Sequence, residues 1–262
     1  MEDQRTVAHM PQEETLRDCF SRAKWVWLDL DDTLIDFKAN SAEALRLTYS
    51  HFCLQRYFPT LEEWTQSYMK HNHALWDRYN RAEITQKYLR VHRFLDPISE
   101  HVAMTEEEFA GMASEMDRKY LDYLAEQKNL VDGAMELVDT LRAYNYKIGV
   151  LSNGFSDVQH RKIRTAGLEG KIDLTVLSDD IGVNKPDTRL YRHAMELAGD
   201  TDPAHHLMIG DNPAIDIAGA IAAGWDAILL APAGKGEDKS AGCLVAHSLR
   251  PLTIAAIAAR KA

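Results

Sequence analysis

From Ala134 to Leu230, short apolar runs alternate with amphipathic stretches of about ten residues, and few folds accommodate that rhythm. Helical spacing predicts helices over Ala134–Ala143, Asp157–Ala166, Thr188–Ala198 and Ala214–Ala223. Between and after them, apolar runs predict strands at Lys147–Leu151, Asp173–Leu177, Leu207–Gly210 and Ala227–Leu230, and Lys24–Asp29 supplies an earlier one. Strands joined through helices run parallel, because the crossover returns the chain to the edge from which it left. The expected class is α/β, a doubly wound parallel sheet with helices on both faces. Ligands of such sheets bind beyond the carboxyl ends of the strands.

The rhythm is interrupted once. Between Phe37 and Asn129 helical spacing dominates and no strand is evident. One helix is expected through Ala44, Leu45, Leu47, Thr48, Phe52 and Leu54, and a second through Leu61, Trp64, Tyr68, Leu75 and Trp76. A third follows through Ile84, Tyr88, Leu89 and Val91, and Thr105-Glu106-Glu107-Glu108 reads as a capped helix start. The expected organisation is therefore a polar, flexible arm over residues 1–23, with a short helix at Glu13–Phe20, and an α/β core from 24–37 plus 130–262. An inserted all-α domain occupies 38–129. Ala231–Gly242, rich in Gly and Ala, is expected to be a surface loop.

Net charge is −10, from 30 Lys and Arg against 40 Asp and Glu. A nucleic-acid polymer is not the expected partner, since its phosphates require a basic stripe. Cys19, Cys53 and Cys243 are widely spaced, with no zinc-type pairing, and suit reduced thiols. The first residues carry no apolar signal core, and no run reaches the roughly 18 apolar residues of a membrane span. A cytoplasmic protein, monomer or homodimer, without a membrane partner is expected.

Polar clusters follow the strands. Asp29-Leu30-Asp31-Asp32-Thr33 places three carboxylates at the end of the first strand, where they repel unless a cation or a proton relieves them. Ser152-Asn153-Gly154 follows the second strand. Lys185-Pro186 follows the segment Val176–Val183, and Asp211-Asn212-Pro213-Ala214-Ile215-Asp216 follows the strand ending at Gly210. Each has a plain alternative. Ser-Asn-Gly makes β-turns, Lys-Pro opens helices, and either Asp211 or Asp216 can cap one. Three acids at a strand end gain nothing from packing, so a divalent metal site is the simpler reading of the first cluster.

DxDxT at Asp29–Thr33, Ser152, Lys185 and GDxxxxD at Gly210–Asp216 resemble, in that order, the four motifs of the haloacid dehalogenase (HAD) superfamily. The helical insert resembles its C1-type cap, so the core is expected to be Rossmann-like. The resemblance implies an enzyme, a Mg²⁺-dependent phosphatase or phosphotransferase acting on a small-molecule phosphate ester. It further implies that Asp29 attacks phosphorus and Asp31 handles the proton. Mg²⁺ would sit on the Asp29 carboxylate, the Asp31 carbonyl and Asp211, with Asp216 holding metal-bound water or orienting Asp211. Ser152, with the neighbouring Asn153 and Gly154, would bind the phosphoryl oxygens, and Lys185 would offset their charge. Dehalogenases of the superfamily lack the second aspartate, so Asp31 favours phosphoryl chemistry.

The stretch Asn72–Asn80 with Glu83-Ile84-Thr85, and Ser152-Asn153-Gly154-Phe155 with Gln159, Arg161 and Gly167-Leu168, resemble the pyrimidine 5′-nucleotidase branch of the superfamily. That likeness implies a nucleoside 5′-monophosphate substrate, with Trp76, Arg78 and Tyr79 as binding candidates. The spacing of Leu75, Trp76 and Tyr79 equally suits an ordinary buried helix face. Sugar phosphates or FMN, and a β-phosphoglucomutase-like phosphomutase, are the alternatives. A module that keeps the fold only to bind a partner would tolerate loss of Asp29 or Asp31, and both are present.

Overall fold

The computed structural model describes residues 10–102, 106–232 and 243–261. The chain divides into two compact units, one running to Asp36 and resuming at Asn129, the other spanning Phe37–Lys128. In chain order the elements are α1 (Met10–Arg22), β1 (Trp25–Leu28), α2 (Phe37–His51), α3 (Leu61–Asn80), α4 (Gln86–Ser99) and α5 (Glu106–Ala125). Next come α6 (Ala134–Ala143), β2 (Lys147–Ser152), α7 (Ser156–Thr165), β3 (Leu174–Leu177), α8 (Ser178–Ile181) and α9 (Thr188–Ala198). The chain finishes with β4 (His206–Gly210), α10 (Ala218–Ala222), β5 (Asp226–Leu230), β6 (Leu244–Ala246) and α11 (Arg250–Lys261).

All strand pairs are parallel, in the order β3-β2-β1-β4-β5-β6. This is a doubly wound α/β sheet. Successive side chains alternate between its faces. Val26, Leu28, Ile148, Val150, Leu207 and Ile209 meet Phe20, Leu137, Leu141 and Leu252 on one side. On the other, Trp25, Trp27, Leu151 and Met208 meet Leu190, Tyr191 and Ala220. The chain moves outward from β1 through β2 to β3, then returns to β4 on the opposite flank. The gap between the ends of β1 and β4 is thus the switch point at which sheets of this order bind ligands.

Two expectations need correction. The amino-terminal segment is not a flexible arm over its described part: α1 runs to Arg22 and buries Leu16, Cys19 and Phe20 in the core. The helix expected at Ala214–Ala223 is two pieces. Pro213–Ile217 is a wide turn with the Ile217 amide reaching back five residues to the Asn212 carbonyl at 3.4 Å, and the α-helical part begins only at Ala218. The Thr105 cap and most of the Ala231–Gly242 loop lie outside the described residues. No disulfide joins the three cysteines, and no helix among the described residues is long and apolar enough to cross a membrane.

The second unit is helical among its described residues. Thr60 and Thr85 cap α3 and α4 by accepting the Glu63 and Tyr88 amides, both at 3.2 Å. Its centre is aromatic: Tyr68 lies 5.1 Å from Phe94 and 5.6 Å from Tyr120, centroid to centroid. Buried Arg93 is held there by Asp117, its Nε 3.0 Å from Oδ1, so each of these two buried charges has its partner.

In the sheet, Trp27 stacks on Trp25 at 5.3 Å and packs against Trp225 at 5.6 Å. The Trp27 indole donates to His206 Nδ1 at 2.9 Å, which leaves Nε2 to donate to the Asp200 carbonyl at 2.8 Å. His206 is therefore the neutral tautomer, and burial lowers its pKa in the same direction. The stack exists because Gly149, opposite Trp27 in register, has no side chain: a Cβ there would lie 2.1 Å from the indole ring. Gly149→Ala should cost about 1–3 kcal/mol through overpacking, read as a lower urea midpoint at unchanged m-value. An unshifted midpoint would show that the stack moves aside freely.

Candidate active site

β1 ends at Leu28, and the Asp29 amide still bonds the Ile209 carbonyl of β4 at 2.9 Å, so Asp29 is fixed at the switch point. The chain then folds into a tight loop closed by Ile35 N to Leu30 O (2.9 Å) and Asp32 N to Ile35 O (2.7 Å). Asp32 turns that corner with φ of 57°, a conformation Asp tolerates better than most residues. Its place in the motif is conformational.

Lys185 is 1% exposed and lies between two of the carboxylates. Its Nζ donates to Asp29 Oδ1 at 2.6 Å, Asp216 Oδ1 at 2.6 Å and the Leu151 carbonyl at 2.7 Å. Three acceptors match the three protons of an ammonium. Those two carboxylates raise the Lys185 pKa further above its ordinary value, against the opposing effect of burial. Asn153 engages the backbone of that lysine. Its side chain accepts the Lys185 amide at 2.7 Å and donates to the Lys185 carbonyl at 3.0 Å, clamping the lysine's backbone.

Asp216 reaches the site by folding back over the end of β4. Its Oδ2 accepts the Asn212 amide at 3.0 Å, and a Cβ on Gly210 would stand 2.4 Å from that oxygen, so only glycine allows the approach. The helix-capping alternative for the aspartates falls to their neighbour: Asn212 Oδ1 accepts the Ala214 and Ile215 amides at 3.0 and 3.1 Å. Asp211 and Asp216 are thereby left to converge on Asp29, with one carboxylate oxygen of each residue within 4.8 Å of the others. Burial pushes the Asp29 pKa well above the ordinary carboxylate value; Asp216 and Asp211 reinforce this, and Lys185 opposes it. Three carboxylates against one ammonium leave an excess of negative charge. An all-oxygen donor set of that kind fits a hard divalent cation such as Mg²⁺.

The Asp31 carboxylate is not part of that convergence. It is held by α7, where Lys162 Nζ lies 2.6 and 2.8 Å from its two oxygens and Gln159 Nε2 lies 3.0 Å from Oδ2. Gln159 Nε2 also donates to Ser152 Oγ at 2.8 Å, and the Gly154 amide approaches the same oxygen at 3.3 Å. Both acceptor positions of Ser152 are filled, and its hydroxyl proton is the part left to donate. Sequence reasoning singled out Gln159 but passed over Lys162. The signal was present: Val158, Gln159, Lys162 and Ile163 form the buried stripe of α7, and a lysine on such a stripe requires an anion.

Trp76, Arg78 and Tyr79 lie on α3 in the second unit, all half-buried. Trp76 meets Tyr79 edge-on at 5.5 Å, and the Arg78 guanidinium lies 5.5 Å from the Tyr88 ring centroid. Leu75 is the member of that face committed to the core.

A 3-2-1-4-5-6 parallel sheet with a carboxylate cluster at its switch point defines a Rossmann-like enzyme. The chain belongs to the haloacid dehalogenase-like hydrolase family, whose model matches residues 23–224. Among curated relatives, the pyrimidine 5′-nucleotidase YjjG of Escherichia coli is 31% identical over 201 residues, covering 76% of this chain and 82% of YjjG. The pyrimidine 5′-nucleotidase PynA of Streptococcus pneumoniae is 28% identical over 209 residues, covering 80% and 84%. The magnesium-bound crystal structure of YfnB from Bacillus subtilis superposes with a TM-score of 0.78 at 26% identity, covering 90% of this chain and 99% of YfnB.

Proposed function

We propose that the protein is a Mg²⁺-dependent phosphomonoesterase that works through an aspartyl-phosphate on Asp29 and takes a nucleoside 5′-monophosphate. The observation that carries the reading is Asp29 itself. It is a buried carboxylate at the switch point, with one oxygen held by Lys185 and the carboxylates of Asp211 and Asp216 beside it. With Oδ1 fixed, the other oxygen is oriented to attack phosphorus in line. The new Asp29–phosphorus bond forms as the ester oxygen leaves, and Asp31 gives that oxygen its proton. Asp31 then takes a proton from the water that attacks the acyl phosphate, which releases inorganic phosphate and restores Asp29. Ser152 donates its hydroxyl proton to a phosphoryl oxygen, and Lys185 acts through its charge on Asp29, since its protons are engaged. Mg²⁺, held by Asp29, Asp211 and the Asp31 carbonyl with Asp216 beside them, would supply charge neutralisation for the transferring group.

The nucleotide assignment rests on the two pyrimidine 5′-nucleotidase relatives, and the half-buried aromatics Trp76 and Tyr79 are the candidates for stacking on a base. Phosphate release across nucleotides, sugar phosphates and FMN tests it. A sharp preference for UMP or dTMP is expected, and a preference for sugar phosphates would overturn it. EDTA should stop turnover, Mg²⁺ should restore it, and Mg²⁺ should also raise the melting temperature by relieving the carboxylate cluster. Full activity in chelator would exclude the metal.

A further inference from the structure

Lys162 is 3% exposed, and its ammonium spends its protons on Asp31 and on Gln159 Oε1, 2.8 Å away. An ammonium only donates, so this contact fixes which end of the Gln159 amide faces it. The amide nitrogen must then point the other way, where it meets both Asp31 Oδ2 and Ser152 Oγ. A single turn of α7 thereby ties the carboxylate after β1 to the hydroxyl after β2. The lysine side chain is 4% exposed while that of Asp31 is 29% exposed, so the carboxylate is gripped from behind and open in front.

We infer that Lys162 and Gln159 are a positioning pair that sets Asp31 for proton transfer and turns the Ser152 hydroxyl outward; this rests on the acid–base reading of Asp31. Neither residue touches the reacting atoms in this assignment. Lys162 aligns Asp31 directly, and reaches Ser152 through the fixed polarity of the Gln159 amide.

The test compares kcat/KM for two esters, the alkyl phosphate turned over fastest in the panel above and p-nitrophenyl phosphate, whose leaving group departs without a proton. Asp31→Asn sets the benchmark, losing mostly on the alkyl ester. Lys162→Met should follow the same pattern. An alkyl-ester loss of about 10²-fold is expected, the scale of a misplaced reacting group, with the aryl ester about tenfold less affected. The loss should fall on kcat rather than KM, and Lys162→Arg should recover most of it. Gln159→Glu keeps the shape and the lysine contact but cannot donate, so it should show the same defect even where Lys162→Met fails to fold. Equal losses on both esters beside an unequal Asp31→Asn would overturn the positioning role alone. So would a raised KM at unchanged kcat, which would mark Lys162 as a direct substrate ligand. If Asp31→Asn itself loses equally on both esters, the acid–base reading falls and takes this inference with it.

Discussion

Asp29→Asn is expected to lower turnover by about 10⁴-fold or more while leaving the protein folded and no less stable. The amide has the shape of the carboxylate but no lone pair basic enough to attack phosphorus. Lys185 keeps Asp216 Oδ1 and the Leu151 carbonyl as acceptors, and the amide oxygen at position 29 can accept its third proton, so its burial remains compensated. Removing one anion also relieves the repulsion among Asp29, Asp211 and Asp216, which adds to burial in lifting the Asp29 pKa. The melting temperature should therefore hold or rise as activity vanishes. Single-turnover phosphate release together with calorimetry checks both halves. Retained activity would remove Asp29 as the nucleophile, whereas a collapsed fold would make its role structural.

The opposite signature belongs to Lys185→Met. Taking out the ammonium strands two carboxylates, with side chains 11% and 2% exposed, and the Leu151 carbonyl loses its donor. Breaking a buried pair from one side costs about 3–5 kcal/mol, so a large fall in urea midpoint should accompany the loss of activity. The cation that best replaces an ammonium there is a divalent metal. Mg²⁺ should accordingly raise the melting temperature of Lys185→Met by more than that of the wild type. In the double variant with Asp29→Asn, the two stability changes should be less than additive, because one unpaired anion is gone. Wild-type stability in Lys185→Met, or an identical Mg²⁺ shift, would refute this account of the cluster's charge balance.

The sheet was legible in the chain because its strands are short apolar runs buried on both faces, as Trp25–Leu28 shows with all four residues buried. β6 escaped notice because a strand of three residues, Leu244–Ala246, has too little length to establish a pattern. α1 was misjudged for a related reason: charged residues surround Leu16, Cys19 and Phe20, and a stripe so narrow reads as polar until α11 packs against it. In the site, residue type and order announced the carboxylates, Ser152 and Lys185. Their division of labour was not in the string. That Asn153 clamps the Lys185 backbone, or that Asn212 rather than an aspartate caps the turn, depends on chain crossings more than thirty residues long or on a five-residue turn. Lys162 was hidden by its type, since a helical lysine reads as solvated surface until its stripe is seen to face inward.

The aromatic stack under the sheet gives the enzyme an optical gauge. Trp25, Trp27 and Trp225 account for three of the five tryptophans, and Trp27, on β1, precedes Asp29 by two residues. Stacked indoles couple their transitions, and an imidazole hydrogen-bonded to one of them is a local quencher. Near-ultraviolet dichroism and fluorescence lifetime can therefore follow events at the end of β1 without any added dye, and without waiting for a product to form.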